Sequence, residues 1–425
     1  MSDMNKDKFV FVTEREKEHA DTRKSLTYWA DAARRLRKHK AAMVGLVIVI
    51  LITLFGVVGP LFTGVSYSDQ RNEHKNLGPI LKLYQLDNDL YVTLSGDYYL
   101  FVMGEDGMIL QALREKVEED APTKLERDPN KIKSPAELKK EREEQAKKVE
   151  NVNMKTYDYN GEDIVLDYSS KVNADPDYQY AFTYNGNTVT HPDKSVLNKR
   201  YPFGTDNVGR DLLTRVMYGT RISLLVALVA TLVNFLIGVT YGAISGYEGG
   251  RADNIMMRIV DIINSIPLML IVILAMVMLQ SGGNMWTIIL GIGLVYWVTM
   301  ARLVRGQMLS LKQQEFVLAA KALGVRRRKI IFRHLIPNAM GPIIVSMTMM
   351  IPTAIFTESF LGFIGLGVSA PQASLGTLAN NALSGLLTYP YQLFFPAVTI
   401  AIMMLAFNFL GDGLRDALDP RLRKG

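Results

Sequence analysis

Residues Glu315 to Asn338, EFVLAAKALGVRRRKIIFRHLIPN, hold the most distinctive side-chain pattern in this 425-residue chain. The chemistry it suits is docking, with no bond made or broken. Phe316, Ala319, Ala320 and Leu323 fall at i, i+3, i+4 and i+7, which gives a short helix a slim apolar face. Two adjacent alanines let another protein's backbone come close. Gly324 is placed to supply a left-handed helix end, and the Arg326-Arg327-Arg328-Lys329 run that follows is too charged to enter lipid. A knob of this kind, joined rigidly to flanking membrane spans, could pass motion into them. Periodicity alone fits an amphipathic helix lying on a membrane surface equally well.

Other chemistries lack their residues. Cysteine is absent, which excludes disulfides, thiolate catalysis and cysteine metal sites. His19, His39, His74, His191 and His334 are scattered with no ligand-like pair, and no G-x-x-x-x-G-K-[ST] occurs, so neither a metal site nor ATP hydrolysis is expected of this chain.

The elements that must position the knob are apolar blocks. Residues 1–24 read as a weakly ordered polar tail, and Ser25 to Lys40 as an interfacial helix with Leu26, Trp29, Ala33 and Leu36 on one face and five cations near its end. A nucleic-acid role for those cations is disfavoured because an apolar span follows at once. That span, Ala41 to Phe62, runs 22 residues without a charge, enough to cross about 30 Å of hydrocarbon. Further spans are expected at Ile222 to Tyr247, from the Asp253–Asp261 region to about Gln280, at Thr287 to about Val304, at about Leu335 to Thr357, and at Tyr391 to Gly411. Pro267 should kink the third, and Arg258 and Asp261, three apart, suit a surface ion pair, with a gate role as the alternative. The fold class is thus mostly α: a polytopic membrane protein with six transmembrane helices.

Between the first two spans lies a polar insert, residues 63–205, carrying 19 Lys plus Arg against 25 Asp plus Glu, a net charge of −6 in a chain of net charge +6. Tyr91 to Met103, Asp163 to Tyr168 and Tyr178 to Tyr184 read as strands of a small antiparallel sheet, separated by turns at Glu105-Asp106-Gly107, Asn160-Gly161 and Asn185-Gly186-Asn187. Ser134-Pro135-Ala136-Glu137 opens a charged helix to about Glu150. Domain bounds follow: a tail and interfacial helix over 1–40, a first span over 41–62, the insert over 63–205, and a five-span core over 206–425 with the loop 305–334. Lys plus Arg number 11 before the first span and 9 between Arg302 and Arg333, against none over 358–390. The positive-inside rule then puts both termini and the loop in the cytoplasm and the insert outside.

Ala319-Ala320, Gly324 and Ile336-Pro337 resemble the "EAA" loop of permease subunits of binding-protein-dependent ABC importers. Here the acid is Glu315, displaced from the family's usual place beside the alanines. Pro202-Phe203-Gly204-Thr205-Asp206, Gly209-Arg210-Asp211 and Tyr218-Gly219-Thr220-Arg221 resemble the peptide and nickel importers of that family, as does the tail GDGLRDALDPRLR. The likeness covers about 25–66 and 201–425. It implies a C-type permease for oligopeptides, or for dipeptides, nickel complexes or another small solute. The implied partners are a second permease, two P-loop ATPases that bind ATP and Mg, and an external solute-binding protein. It also implies that Glu315, Phe316, Ala319, Ala320, Leu323, Gly324 and Pro337 belong to the ATPase-coupling loop; Arg258, Asp261 and Pro267 stand apart from it as candidate gate or structural positions. Independently, the span interiors lack Asp, Glu, Lys, Arg and His, which with the cytoplasmic knob disfavours the alternative of a stand-alone secondary transporter or channel. The insert is longer than the family's, and capping the outer mouth, guiding the binding protein and passive decoration all remain open.

Overall fold

The computed structural model describes residues 28–96, 98–116, 154–168, 180–279 and 283–418. The expected helix at Ser134 to Glu150 and the tail 1–24 lie outside them. Helix α1 (Tyr28–Lys38) is separated by His39 from α2 (Lys40–Val57), and the His39 ring caps α2 by accepting from the Ala42 amide at 3.1 Å. Gly59 and Pro60 end the first span, which is shorter than the uncharged run.

All the described strands lie between Ile80 and Leu197. Strands β1 (Ile80–Asp87), β2 (Leu90–Leu94), β3 (Leu100–Met103) and β4 (Ile109–Ala112) join β9 (Lys194–Leu197) in an antiparallel sheet of order β4-β3-β2-β1-β9. A second sheet of order β5-β6-β7-β8 comprises β5 (Met154–Tyr159), β6 (Glu162–Asp167), β7 (Ala181–Tyr184) and β8 (Asn187–Val189). Two sheets thus stand where one was expected, and the run Tyr91 to Met103 divides at Ser95 into two strands. The turn signals hold: Asn160-Gly161 and Asn185-Gly186 all have positive φ, as two-residue hairpin turns of matching twist require. Tyr84, Phe182, Ile164 and Leu166 close one shared core across the two sheets.

After the insert come α3 (Leu212–Glu248), α4 (Gly250–Ser265), α5 (Leu268–Met278), α6 (Met285–Leu311), α7 (Glu315–Ala322), α8 (Ile336–Leu361), α9 (Leu375–Asn381) and α10 (Tyr391–Leu418). Helices α2, α3, α6, α10 and the helical stretch 327–366 that contains α8 are long and apolar enough to cross a membrane. Helices α4 and α5 meet at 85° and satisfy that test only together, giving up to six spans. The sharp break falls at Ile266, which is extended at φ −86° and ψ 124° because the ring of Pro267 excludes helical backbone before it. The expected fifth span begins earlier than Leu335, since a π-helical turn (Ile330–Leu335) joins Arg327–Lys329 to α8 without interruption. That wider turn precedes Pro337, whose missing amide would otherwise leave a gap in an α-helical ladder.

Helices α3 and α6 are the most intimate pair, and glycine explains it. A β-carbon at Gly238, Gly242 or Gly246 would lie 2.6 Å from Met300 Cβ, 2.3 Å from Ala301 O or 2.7 Å from Arg305 O. The four-residue spacing puts these glycines on one α3 stripe, and α6 lies in the groove they leave.

The segment before α3 clasps the insert to the spans. Asp206 accepts from the amides of Val208 and Arg210 at 3.0 and 2.9 Å and from Arg210 Nε at 2.7 Å, which makes an ion-paired turn. Asp211 caps α3 through the Leu213 and Thr214 amides. Thr205 donates to His74 O at 2.5 Å, the Thr205 carbonyl receives Tyr391 Oη and Gln392 Nε2 at 3.0 Å each, and Tyr201 Oη lies 2.9 Å from His74 Nδ1. Burial, with the charges of Arg200 and Arg71 adding to it, pushes the His74 pKa down to about 4. The unfolded chain therefore binds a proton near pH 6.5 that the folded chain refuses. The resulting stability is complete above that pH and falls as pH drops towards 4, by about 3 kcal/mol at 1.36 kcal/mol per unit. Thermal unfolding of the full chain in detergent should show a smaller drop between pH 7 and 4.5 in His74→Gln than in the parent.

Candidate functional site

Helix α7 follows Gln314, and Glu315 occupies its exposed first turn without a side-chain cap. Its buried side is Val317 and Ala320, packed with Val304 and Met308 of α6, Ile330, Ile331 and Leu335 of the π turn, and Val239 and Ala243 of α3. Its open side carries Phe316, Leu318, Ala319 and Leu323, the last 83% exposed. The apolar face expected at Phe316, Ala319, Ala320 and Leu323 is therefore split: Ala320 belongs to the chain's own core and the other three face outward. Burial of Val317 on the opposite flank rotates the helix by that amount.

The end of α7 is fixed by two backbone bonds. Gly324 N–H donates to Lys321 O and Val325 N–H to Ala320 O, both at 3.0 Å, the paired pattern of a Schellman cap. Gly324 has φ +71° and nothing within 4 Å of a would-be β-carbon, so the position needs glycine for conformation and not for space. Pro337 sits exposed in the first turn of α8, lining a groove with Arg326, Arg328, Lys329, Phe332 and Arg333.

A polar hub ties this loop to the α3–α4 corner. Arg305 of α6 grips Asp253 of α4 through two bonds of 2.6 Å, Nε to Oδ1 and Nη2 to Oδ2, and Ser245 donates to the same carboxylate at 2.5 Å. Lys312 donates to Gly246 O at 2.9 Å, Arg327 lies 3.0 Å from Glu248, and the Lys321 ammonium sits 5.3 Å from the centroid of the Tyr247 ring. Asp261 pairs with Arg302 of α6 at 2.9 Å and not with Arg258, which stands exposed. The expected i, i+3 pair is thus replaced by a link between helices. Two arginines one turn apart on α6 hold two aspartates on α4.

Arg302, Arg305 and the glycine stripe were not among the sequence candidates. The stripe had a legible signal, Gly-x-x-x-Gly-x-x-x-Gly over 238–246. The Asp253–Arg305 pair spans 52 positions and has no local signature. Among the described residues no group of three or more His, Cys, Asp or Glu could hold a metal ion.

Residues 238–424 match the family described as "Binding-protein-dependent transport system inner membrane component", and residues 27–79 match "N-terminal TM domain of oligopeptide transport permease C". The oligopeptide transport permease OppC of Bacillus subtilis (strain 168) is 51% identical over 243 residues, 57% of this chain and 79% of that one. The dipeptide permease DppC of the same strain is 53% identical over 223 residues, 52% of this chain and 69% of that one, and OppC of Escherichia coli (strain K12) is 47% identical over 221 residues, 52% and 72%. An inward-facing MetNI methionine ABC transporter chain aligns over 48% of this chain and 96% of that one, at TM-score 0.41 and 20% identity. The apolar helices and the sequence matches define a multi-pass permease of the inner membrane. The chain belongs to the family of binding-protein-dependent ABC importer permeases. All nine strands among the described residues fall between the two matched segments.

Proposed function

We propose that this chain is a non-catalytic permease subunit of an ATP-driven importer of oligopeptides, with dipeptides as the second substrate class. Both classes rest on its likeness to OppC and DppC. The observation that carries the mechanism is the division of α7 into a side packed on the π turn, within an apolar cluster that includes residues of α3 and α6, and an apolar side open to a partner. In this reading Phe316, Ala319 and Leu323 dock on an ATPase subunit that holds ATP and Mg. Closure of two such subunits pushes α7, and α6 carries α4 with it through Arg305–Asp253. The insert and α9 face outward towards a solute-binding protein, both termini face the cytoplasm, and a second permease completes the path. Orientation rests on the distribution of Lys and Arg.

Ala319→Trp places a bulky ring on the docking side without touching the core. Peptide uptake by the reconstituted complex should fall at least tenfold while the chain still inserts and retains its thermal stability. Wild-type uptake by that variant would overturn the docking role of α7. Competition of labelled pentapeptide uptake by unlabelled dipeptide then separates the two substrate classes.

A further inference from the structure

From the groove beside the π turn, we propose that this chain binds the headgroup of an anionic phospholipid there. The groove is shallow and open to solvent, with a volume of about 580 Å³, and is lined by Arg326, Arg328, Lys329, Phe332, Arg333 and Pro337. Four of its six walls are cationic, and none of those four makes an ion pair with a described residue; the neighbouring Arg327 is the one that turns away to Glu248. A concave surface with four unneutralised charges attracts an anion.

The arrangement of apolar and charged walls selects the kind of anion. Arg326, Arg328 and Lys329 come first along the chain, Phe332 and Arg333 one turn later, and Pro337 a further turn towards the apolar length of α8. Phe332 is 45% exposed, and Ile330, Ile331 and Leu335 on the other side of the same turns are buried. A ligand satisfying both ends has a phosphate at the cationic rim and hydrocarbon along Phe332 and Pro337, which is a phospholipid lying at the edge of its own leaflet. A soluble phosphate would leave the apolar floor unused. The site needs neither the docking role of α7 nor the sidedness of the loop, so it stands apart from the proposed coupling.

The test is native mass spectrometry of the full chain in mild detergent, titrated with phosphatidylglycerol, phosphatidylcholine or inorganic phosphate. Phosphatidylglycerol should bind at least tenfold more tightly than phosphatidylcholine. Combined Arg328→Gln, Lys329→Gln and Arg333→Gln should weaken it at least tenfold, and Phe332→Ser at least threefold with no charge removed. Arg34→Gln, Arg37→Gln and Lys38→Gln together, which remove the same charge from α1, should change it less than twofold. Thermal unfolding of each variant identifies any that is misfolded, and single substitutions of Arg328 and Arg333 then replace the triple. Equal binding of the two lipids, equal effects of the two triple variants, or displacement by millimolar inorganic phosphate would each overturn the site. So would loss of bound phosphatidylglycerol when the chain is purified with its ATPase partners, which would make the groove a protein contact.

Discussion

Gly242→Leu should leave almost no folded chain in the membrane, whereas Gly306→Leu, on the partner helix, should be tolerated. The difference lies in what a new side chain meets. At Gly242 the first added carbon would sit 2.3 Å from the backbone oxygen of Ala301 and 3.0 Å from its Cα, and backbone cannot rotate out of the way as a side chain can. At Gly306 nothing lies within 4 Å. Overpacking in a core costs about 1–3 kcal/mol where side chains can adjust, and a clash with backbone belongs at or beyond the upper end. Helices α3 and α6 would have to separate along the length set by Gly238 and Gly246, taking with them the core that holds Val317 and Ala320. Leucine at Gly306 instead gains about 0.5–1 kcal/mol from a less flexible unfolded chain. Fluorescence-detected size exclusion of both variants, with thermal unfolding of whatever is recovered, checks the contrast; similar recovery would mean that the stripe does not set the packing.

What could be read from the sequence follows physical range. The spans were legible because each depends on an unbroken apolar run, and the hairpins because Asn160-Gly161 and Asn185-Gly186 encode their turns in two residues. The end of α7 was legible for the same reason, since Gly324 needs no distant partner. That Ala320 would be buried while Phe316, one turn before it, stays exposed could not be assigned, because a short helix with apolar residues around most of its circumference has no single face until its neighbours choose one. Asp261 shows the limit for charges. Arg258 was the nearest cation in sequence, but α6 supplies Arg302 from 41 positions away, and only the packing of α4 on α6 decides between them. The break at Pro267 was expected as a kink, and its 85° separates α4, which carries Asp253 and Asp261 to α6, from the apolar α5.

Arg305→Ala should uncouple transport from ATP hydrolysis as well as weaken the fold, and Arg302→Ala should do little of either. In the first pair the Asp253 side chain is only 7% exposed and that of Arg305 33%, whereas in the second Arg302 is 45% and Asp261 56% exposed. Water already solvates the second pair, so its loss should cost less than about 1 kcal/mol. Removing Arg305 leaves a buried carboxylate with Ser245 as its remaining side-chain donor, which in a fully enclosed pair costs about 3–5 kcal/mol and here belongs near the lower figure because Arg305 reaches solvent. A contribution to stability alone would lower yield and thermal stability while each surviving complex imported normally. A link that moves α4 with α6 predicts something further: in Arg305→Lys the charge remains but one ammonium cannot reproduce two parallel bonds of 2.6 Å. That variant should keep most of its thermal stability yet hydrolyse several times more ATP for each peptide imported, measured with the reconstituted complex and its binding protein. An unchanged ratio of ATP to peptide in Arg305→Lys, together with normal uptake per surviving complex in Arg305→Ala, would reduce the pair to a structural tie and place the transmission to α4 elsewhere.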